Sequence, residues 1–183
     1  MVLRQLLTLC LSITLGYTLQ AQTFTLMSED VGGQATEKQE FNAFGCNGEN
    51  VSPQLSWENA PEGTKSFAIT MYDPDAPTGS GFWHWVIVDI PADATTIPAG
   101  AGSTKKNMLP KGALQTVTSY GAPGYGGPCP PKGHGIHEYM ITIHALDTEQ
   151  LGVKAKTNPA VVGFNLWQHT LAKASIVMYY SRD

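Results

Sequence analysis

The chain has 183 residues, of which 42% are hydrophobic and only 14% are charged, and its formal net charge is −4. This composition is typical of one ordered globular domain and excludes a disordered chain. The acidic balance, with no basic run longer than Lys105–Lys106, argues against a nucleic-acid-binding surface.

The N-terminal segment has the pattern of an export signal. Arg4 supplies a positive charge, and a mostly apolar stretch follows over residues 6–19. This stretch is shorter than the roughly 20 residues that a membrane span needs. We therefore predict a signal peptide over 1–22, a single domain over 23–183 without a transmembrane span, and an exported protein that is periplasmic or secreted. A retained membrane anchor is the alternative.

Alternating apolar residues predict that the exported domain is mainly β. Phe67, Ile69 and Met71, for example, share one face of a strand. We predict strands over residues 24–27, 53–57, 65–72, 82–90, 114–120 and 176–180, and a further strand on which His137, Tyr139, Ile141 and Ile143 alternate.

Segment 82–90 is apolar on both faces, which is typical of a central strand. Strict alternation along this segment places His84 on the same face as Phe82, Val86 and Val88. The histidine is therefore expected within a largely apolar layer of the sheet.

One helix is predicted near the C-terminus. Asparagine is a favoured N-cap and proline suits the first helical position, so Asn158 and Pro159 mark its start. Its apolar stripe is expected to contain Val161, Val162, Leu166, Leu171 and Ala172. The whole is one mostly antiparallel β domain with a few short helices.

Segment 71–85 carries the first cluster of residues with chemical potential. Asp73 and Asp75 lie in a loop that two prolines stiffen, and His84 lies on the strand that follows. A carboxylate beside an imidazole favours its protonated form and can orient it. The structural alternative is an Asp-rich turn above a core histidine.

Segment 121–135 is the second cluster, because ten of its fifteen residues are glycine or proline. Glycine lets a ligand approach the backbone closely, so the N–H groups of Gly126 and Gly127 are expected to form an anion-binding nest. His137 and the hydroxyl of Tyr139 follow on one strand face. We therefore predict that the two loops form one pocket for a phosphate or a carboxylate, with an uncommitted aspartate left for an ammonium group.

These segments resemble the phosphatidylethanolamine-binding protein (PEBP) family, and especially its bacterial Raf-kinase-inhibitor-like branch of the YbhB/YbcL type. The resemblance rests on residues 73–85 and 127–133, on His137 and Tyr139, and on residues 45–53. It implies a β-sandwich of two antiparallel sheets with a few short peripheral helices.

The resemblance also implies a small-anion pocket without a cofactor or a metal. The positions that match the family's pocket are Asp73, Asp75, His84, Gly127, Pro128, His137 and Tyr139. A small anion or a phospholipid headgroup is the implied ligand, and a partner protein is implied by the name of the kinase-inhibitor branch.

Removal of the signal peptide leaves two cysteines, Cys46 and Cys129. An even pair in an exported protein favours a disulfide, and exported members of the resembled branch carry cysteines in these two motifs. A nucleophilic or metal-binding thiol at Cys129 is the alternative, although no other ligand residue stands at metal-site spacing around it.

Three classes of function remain open: a module that binds a small anion, a protein that modulates a partner, and a hydrolase that uses the Asp/His cluster with a metal or by acid–base catalysis. We expect binding without enzymatic activity, because no nucleophile, nucleotide or metal motif is present. His134 and Lys132 are interpreted as solvated residues at the pocket rim, and His144 and His169 as structural. The oligomeric state stays open, with a homodimer among the alternatives.

Overall fold

The computed structural model describes residues 22–183, so the predicted signal peptide lies outside the described residues except for Gln22. The elements are β1 (Thr25–Met27), β2 (Leu55–Glu58), β3 (Ser66–Asp73), β4 (Phe82–Pro91), β5 (Thr96–Ile97), β6 (Leu114–Gln115), β7 (His137–Leu146), α1 (Pro159–His169) and β8 (Thr170–Tyr180). None of the helical structure in this part of the chain is long and apolar enough to cross a bilayer.

The strands form two antiparallel sheets. The smaller sheet has the order β1-β2-β5, and the larger has the order β6-β4-β3-β7-β8. The main core lies between the sheets, where Leu55 and Trp57 of the small sheet meet Ile69, Met71 and other side chains of the large one. The predicted sandwich of two antiparallel sheets is thus confirmed.

A second apolar cluster covers the outer face of the large sheet. Val162 and Leu166 of α1 pack there against Val86 and Val88 of β4. The helix begins as predicted, because the side chain of Asn158 accepts a hydrogen bond from the backbone N–H of Ala160 at 2.9 Å. This helix closes the layer opposite the small sheet.

Three sequence-based boundaries are corrected by the structure. Leu171 and Ala172 were expected in the helix, but they belong to β8, whose pairing with β7 runs from Leu146↔Thr170 onward. Long-range strand pairing has overridden the local helical pattern. The strand expected over 114–120 is only Leu114–Gln115, and a short strand, β5, lies in a segment for which no strand was predicted.

A change of register between β3 and β4 determines to which side of the sheet His84 points. Met71 pairs with Trp85, but the next residue, Tyr72, pairs with Trp83, so His84 is the extra residue of a β-bulge. Val86 and Val88 pack on the outer cluster, whereas His84 lies on the other side with Phe82. The expectation that His84 shares a face with the two valines is therefore wrong, because a bulge reverses the alternation at this point.

Candidate ligand-binding site

A cavity of about 220 Å³ lies at one end of the large sheet. Three central strands meet there because they are antiparallel: β3 ends at Asp73, β4 begins at Phe82, and β7 begins at His137. Asp73, His84, His137 and Tyr139 all line this cavity. Two histidines that are 53 positions apart in sequence therefore reach one space, as the motifs led us to expect.

Asp73 and His137 form a buried pair at the base of the cavity. Oδ2 of Asp73 lies 2.8 Å from Nδ1 of His137, and both side chains are at most 3% exposed. The other carboxylate oxygen accepts the backbone N–H of Asp75 at 2.8 Å. The carboxylate thus fixes the orientation of the His137 ring.

The second nitrogen of His137 also has a partner. Its Nε2 lies 2.8 Å from Nδ1 of His134, whose ring is exposed. The three side chains form a continuous hydrogen-bonded chain from solvent to the buried carboxylate of Asp73. His134, expected to be a solvated rim residue, is in direct contact with the site.

His84 is held by the glycine-rich loop. Its Nδ1 donates a hydrogen bond to the carbonyl oxygen of Gly126 at 2.8 Å, and its own carbonyl accepts the N–H of Gly126 at 2.9 Å. Burial lowers the pKa of His84 to about 4, an effect that outweighs the opposing influences of the Gly126 carbonyl and of Asp73. The ring is therefore neutral at pH 7.

Tyr139 contributes a hydroxyl to the site. The oxygen is buried and forms no hydrogen bond of standard geometry within the described chain, although the carboxylate of Asp73 lies close enough to interact with it. Burial, reinforced by the nearby carboxylate of Asp73, raises the pKa of Tyr139 above its usual range, so the group keeps its proton. An unpaired buried donor is costly, which makes this hydroxyl the feature of the cavity that most needs a ligand.

Aromatic rings form one wall of the cavity. Tyr120 stacks on Phe41 with ring centroids 4.2 Å apart and meets Phe82 edge-on at 4.8 Å. Its hydroxyl donates to the carbonyl oxygen of Gly127 at 2.9 Å. The wall is largely apolar, so a bound ion would be shielded from solvent and its hydrogen bonds would be strengthened.

Gly127 and Pro128 are not among the residues that line the cavity. The N–H of Gly127 donates to the side-chain oxygen of Asn50 at 2.8 Å, and the carbonyl of Pro128 accepts the N–H of Phe41 at 3.0 Å. The N–H of Gly126 is also occupied, by the carbonyl of His84. The expectation that these glycines present free N–H groups as a nest is therefore wrong. Glycine is required at 127 because a Cβ would overlap the backbone of Gln39.

Asp75 is exposed and does not line the cavity. Its Oδ2 accepts the backbone N–H of Glu138 at 2.9 Å, so the carboxylate ties the loop after β3 to the start of β7. This contact holds Asp73 and His137 together from outside the cavity.

Cys46 and Cys129 form a disulfide, with their Cα atoms 6.0 Å apart. Cys129 lines the cavity, and the bond joins its loop to the turn at residues 43–46. The pairing expected from sequence is confirmed in the structure, and it ties a loop that lines the cavity to a second loop.

Two contributors to the site were not assigned to it from sequence. Tyr120 was read as the end of a strand, and His134 as a rim residue. The glycines on both sides of His134, at φ 70° and φ 97°, were a usable signal, because they allow a tight turn that can fold a side chain back onto His137.

Two further features of residues 22–183 concern metal binding and a second groove. No cluster of three or more His, Cys, Asp or Glu side chains there is arranged to hold a metal ion. A wider groove of about 560 Å³ runs beside α1 between Trp83 and Trp167, with His144 and Lys173 at its sides. It contains none of the residues that the sequence motifs assign to the site.

Comparison with known proteins agrees with this architecture. The family model described as phosphatidylethanolamine-binding protein matches residues 31–181. YbhB of Escherichia coli (strain K12) is 49% identical over 158 residues, which cover 85% of this chain and 99% of that protein. YbcL of the same strain is 46% identical over 166 residues, covering 90% of this chain and 91% of that protein.

A solved structure and a more distant relative add to this comparison. The crystal structure of E. coli YbcL, described as a new member of the mammalian PEBP family, matches with a TM-score of 0.85 and covers 87% of this chain and 99% of that one. LppC of Mycobacterium tuberculosis (strain ATCC 25618 / H37Rv), which is named as a lipoprotein, is 40% identical over 103 residues, 56% of this chain and 47% of that protein.

Proposed function

Since the chain belongs to the phosphatidylethanolamine-binding protein family, we propose that it is an exported binding protein whose cavity holds a small anion such as a phosphate-bearing headgroup. The single observation that carries the proposal is the buried Tyr139 hydroxyl, a proton donor that makes no hydrogen bond of standard geometry within residues 22–183 and lies in the same cavity as two histidines. A ligand oxygen would satisfy it.

The size and polarity of the cavity fit a small ligand. Its volume of about 220 Å³ is below the roughly 300–1,000 Å³ of sites for drug-sized molecules. The negative charge of Asp73 opposes an anion, and the hydrogen bonds that its oxygens accept from His137 and from a backbone N–H reduce this repulsion. The hydroxyl of Tyr139 is left to meet the incoming ion.

Binding is favoured over hydrolysis by the state of the groups around the cavity. Both nitrogens of His137 are occupied, and the sulfur of Cys129 is part of a disulfide. Neither side chain is therefore set up as a base beside an activated nucleophile. We propose that the protein acts by holding its ligand, and that any effect on a partner protein follows from that binding.

Export is supported by three independent features. The N-terminal sequence has the pattern of a signal peptide, the structure contains a disulfide, and one relative is named as a lipoprotein. The ligand would accordingly be met outside the cytoplasm.

The proposal is tested by titrating phosphate and phosphoethanolamine into the mature protein, residues 23–183, and into Tyr139→Phe. Phenylalanine keeps the ring and removes only the unpaired hydroxyl, so stability should be unchanged or slightly higher. Because hydrogen bonds to a charged group are worth about 1.5–3 kcal/mol, the affinity should fall by about tenfold or more.

Tyr125→Phe is the matched control. Its buried hydroxyl donates to the carbonyl of Gln39 at 3.1 Å and does not line the cavity. This variant should lose about 1 kcal/mol of stability and keep wild-type affinity. Wild-type affinity in Tyr139→Phe would refute the assignment of the cavity as the binding site.

A further inference from the structure

The hydrogen bond between His84 and the glycine-rich loop decides which ring nitrogen carries the proton. Nδ1 lies 2.8 Å from the carbonyl oxygen of Gly126, and a carbonyl can only accept. Nδ1 therefore carries the hydrogen, and a neutral ring has its lone pair on Nε2. Within the described chain the one hydrogen bond of standard geometry at the ring is that of Nδ1, although the backbone of Gly127 also acts on the ring, and His84 lines the cavity, so the lone pair on Nε2 can meet a ligand.

The surroundings of His84 keep the ring neutral. The residue is only 3% exposed, and the groups that face it are Asp73 from β3, His137 and Tyr139 from β7, and Tyr120 from the aromatic wall. Burial lowers the pKa of His84 to about 4 despite the favourable charge of Asp73. An anion that arrives at pH 7 thus meets one donor, the Tyr139 hydroxyl, and one acceptor, Nε2 of His84.

We propose that the cavity recognises a proton on its ligand: Nε2 of His84 accepts a hydrogen bond from a P–OH group, so the site selects hydrogen phosphate and phosphate monoesters over sulfate and phosphodiesters. This inference rests on the proposed function and narrows its ligand class. Another oxygen of the same ligand accepts from Tyr139. A site with one acceptor and one donor strongly rejects an analogue that lacks the matching hydrogen.

The protonation of the candidate ligands explains the selectivity. A phosphate monoester has its second pKa near 6, so about one tenth of it carries a P–OH at pH 7 and a larger share does at lower pH. Sulfate and phosphodiesters carry no proton there. They can pair with Nε2 only after His84 gains a proton, which for a pKa of about 4 costs roughly 10³-fold in affinity at pH 7.

Two sources of phosphate differ in whether they carry this P–OH proton. The phosphate of an intact phospholipid headgroup is a diester and has no second proton to donate. Inorganic phosphate and a free monoester such as phosphoethanolamine do have one. The cavity is therefore expected to take a released phosphate or monoester, and to bind the headgroup of an intact lipid poorly.

The experiment is a calorimetric titration of the wild-type mature protein at pH 7 with four probes: inorganic phosphate, phosphoethanolamine, sulfate and glycerophosphoethanolamine. The first two should bind at least tenfold more tightly than the last two. Charge alone predicts the opposite order for the inorganic ions, because sulfate carries the larger negative charge. The preference over sulfate should shrink as the pH is lowered from 7 to 5, because protonation of His84 then becomes less costly.

His84→Gln tests whether this residue is the discriminator. The glutamine amide can turn either its oxygen or its NH₂ group to the ligand, so the phosphate/sulfate ratio should fall to about threefold or less. His144→Gln is the control, because His144 also has a pKa lowered to about 4 by burial, and then by Lys173, but it lines the groove beside α1 instead. The phosphate/sulfate affinity ratio of His144→Gln should equal that of the wild type.

The outcomes separate this inference from the proposed function. Sulfate or glycerophosphoethanolamine binding within threefold of phosphate in the wild type would overturn the inference and leave the anion site standing. An unchanged ratio in a folded His84→Gln would remove His84 as its cause. Absence of binding for all four probes at tens of millimolar would refute the proposed function, and the inference with it.

Discussion

At the scale of single residues, a ligand that bonds to the ring of His137 at the base of the cavity must first displace a hydrogen-bond partner of that ring. Its Nδ1 is bonded to Asp73 and its Nε2 to His134, so neither ring nitrogen is free. His134 is exposed and lies between two glycines with positive φ, so its ring can swing away at little cost. We therefore infer that His134 competes with the ligand for Nε2 of His137.

Removal of this competitor should tighten binding. In His134→Ala, Nε2 of His137 is released to accept a hydrogen bond from a P–OH group of the ligand, and because a neutral hydrogen bond contributes about 0.5–1.5 kcal/mol, the phosphate affinity should rise by about 2- to 10-fold. His169→Ala is the control, because this exposed histidine pairs with Asp147 at the end of α1, away from the cavity. Weaker phosphate binding in His134→Ala would show instead that His134 contacts the ligand directly.

The sequence predicted some site residues better than others, for a physical reason. Asp73 and Tyr139 could be placed because each lies where an alternating segment ends or begins, and their chemistry is visible in the residue type. The role of Gly127 could not be predicted, because its N–H is taken by Asn50, a partner 77 residues earlier in the chain. Hydrogen-bond partners at such separation follow from the tertiary fold and not from local pattern.

At the scale of elements, the β-bulge in β4 is what brings a histidine into the cavity. Without the extra residue, His84 would alternate with Val86 and Val88 and would face the outer cluster under α1. The bulge also leaves the backbone of His84 free to pair with Gly126. Alternation alone gave the wrong face for this region, because a bulge has no reliable signature in a single sequence.

The disulfide is the second element-scale device, and its contribution to stability can be measured. It closes a separation of 83 residues, for which the chain-entropy model gives a stabilisation of about 3–5 kcal/mol. Reduction of the mature protein, or the double substitution Cys46→Ser/Cys129→Ser, should lower the free energy of unfolding in urea by that amount.

Reductant should have no further effect on the doubly substituted protein, which serves as the control for this measurement. The disulfide would be contradicted if the native mature protein, oxidised in air, showed two thiols that react with an alkylating reagent.

At the scale of the whole molecule, the sandwich places three antiparallel strand ends and two loops around one cavity. The class of fold could be predicted because alternation with period two persists over β3 and β7. The division between α1 and β8 could not, since Leu171 and Ala172 fit a helical stripe and become a strand only through pairing with β7. Local pattern thus predicted a mainly β domain, the family resemblance implied the two-sheet sandwich, and tertiary contacts set the boundaries of its elements.

The most direct test of the central claim is a crystal structure of residues 23–183 soaked in phosphoethanolamine in a sulfate-free buffer. We expect a phosphate group in the cavity, with one oxygen within hydrogen-bonding distance of the Tyr139 hydroxyl and another within that distance of Nε2 of His84. A phosphate group bound only elsewhere, such as in the groove between Trp83 and Trp167, would contradict it, and so would an empty cavity at saturating ligand.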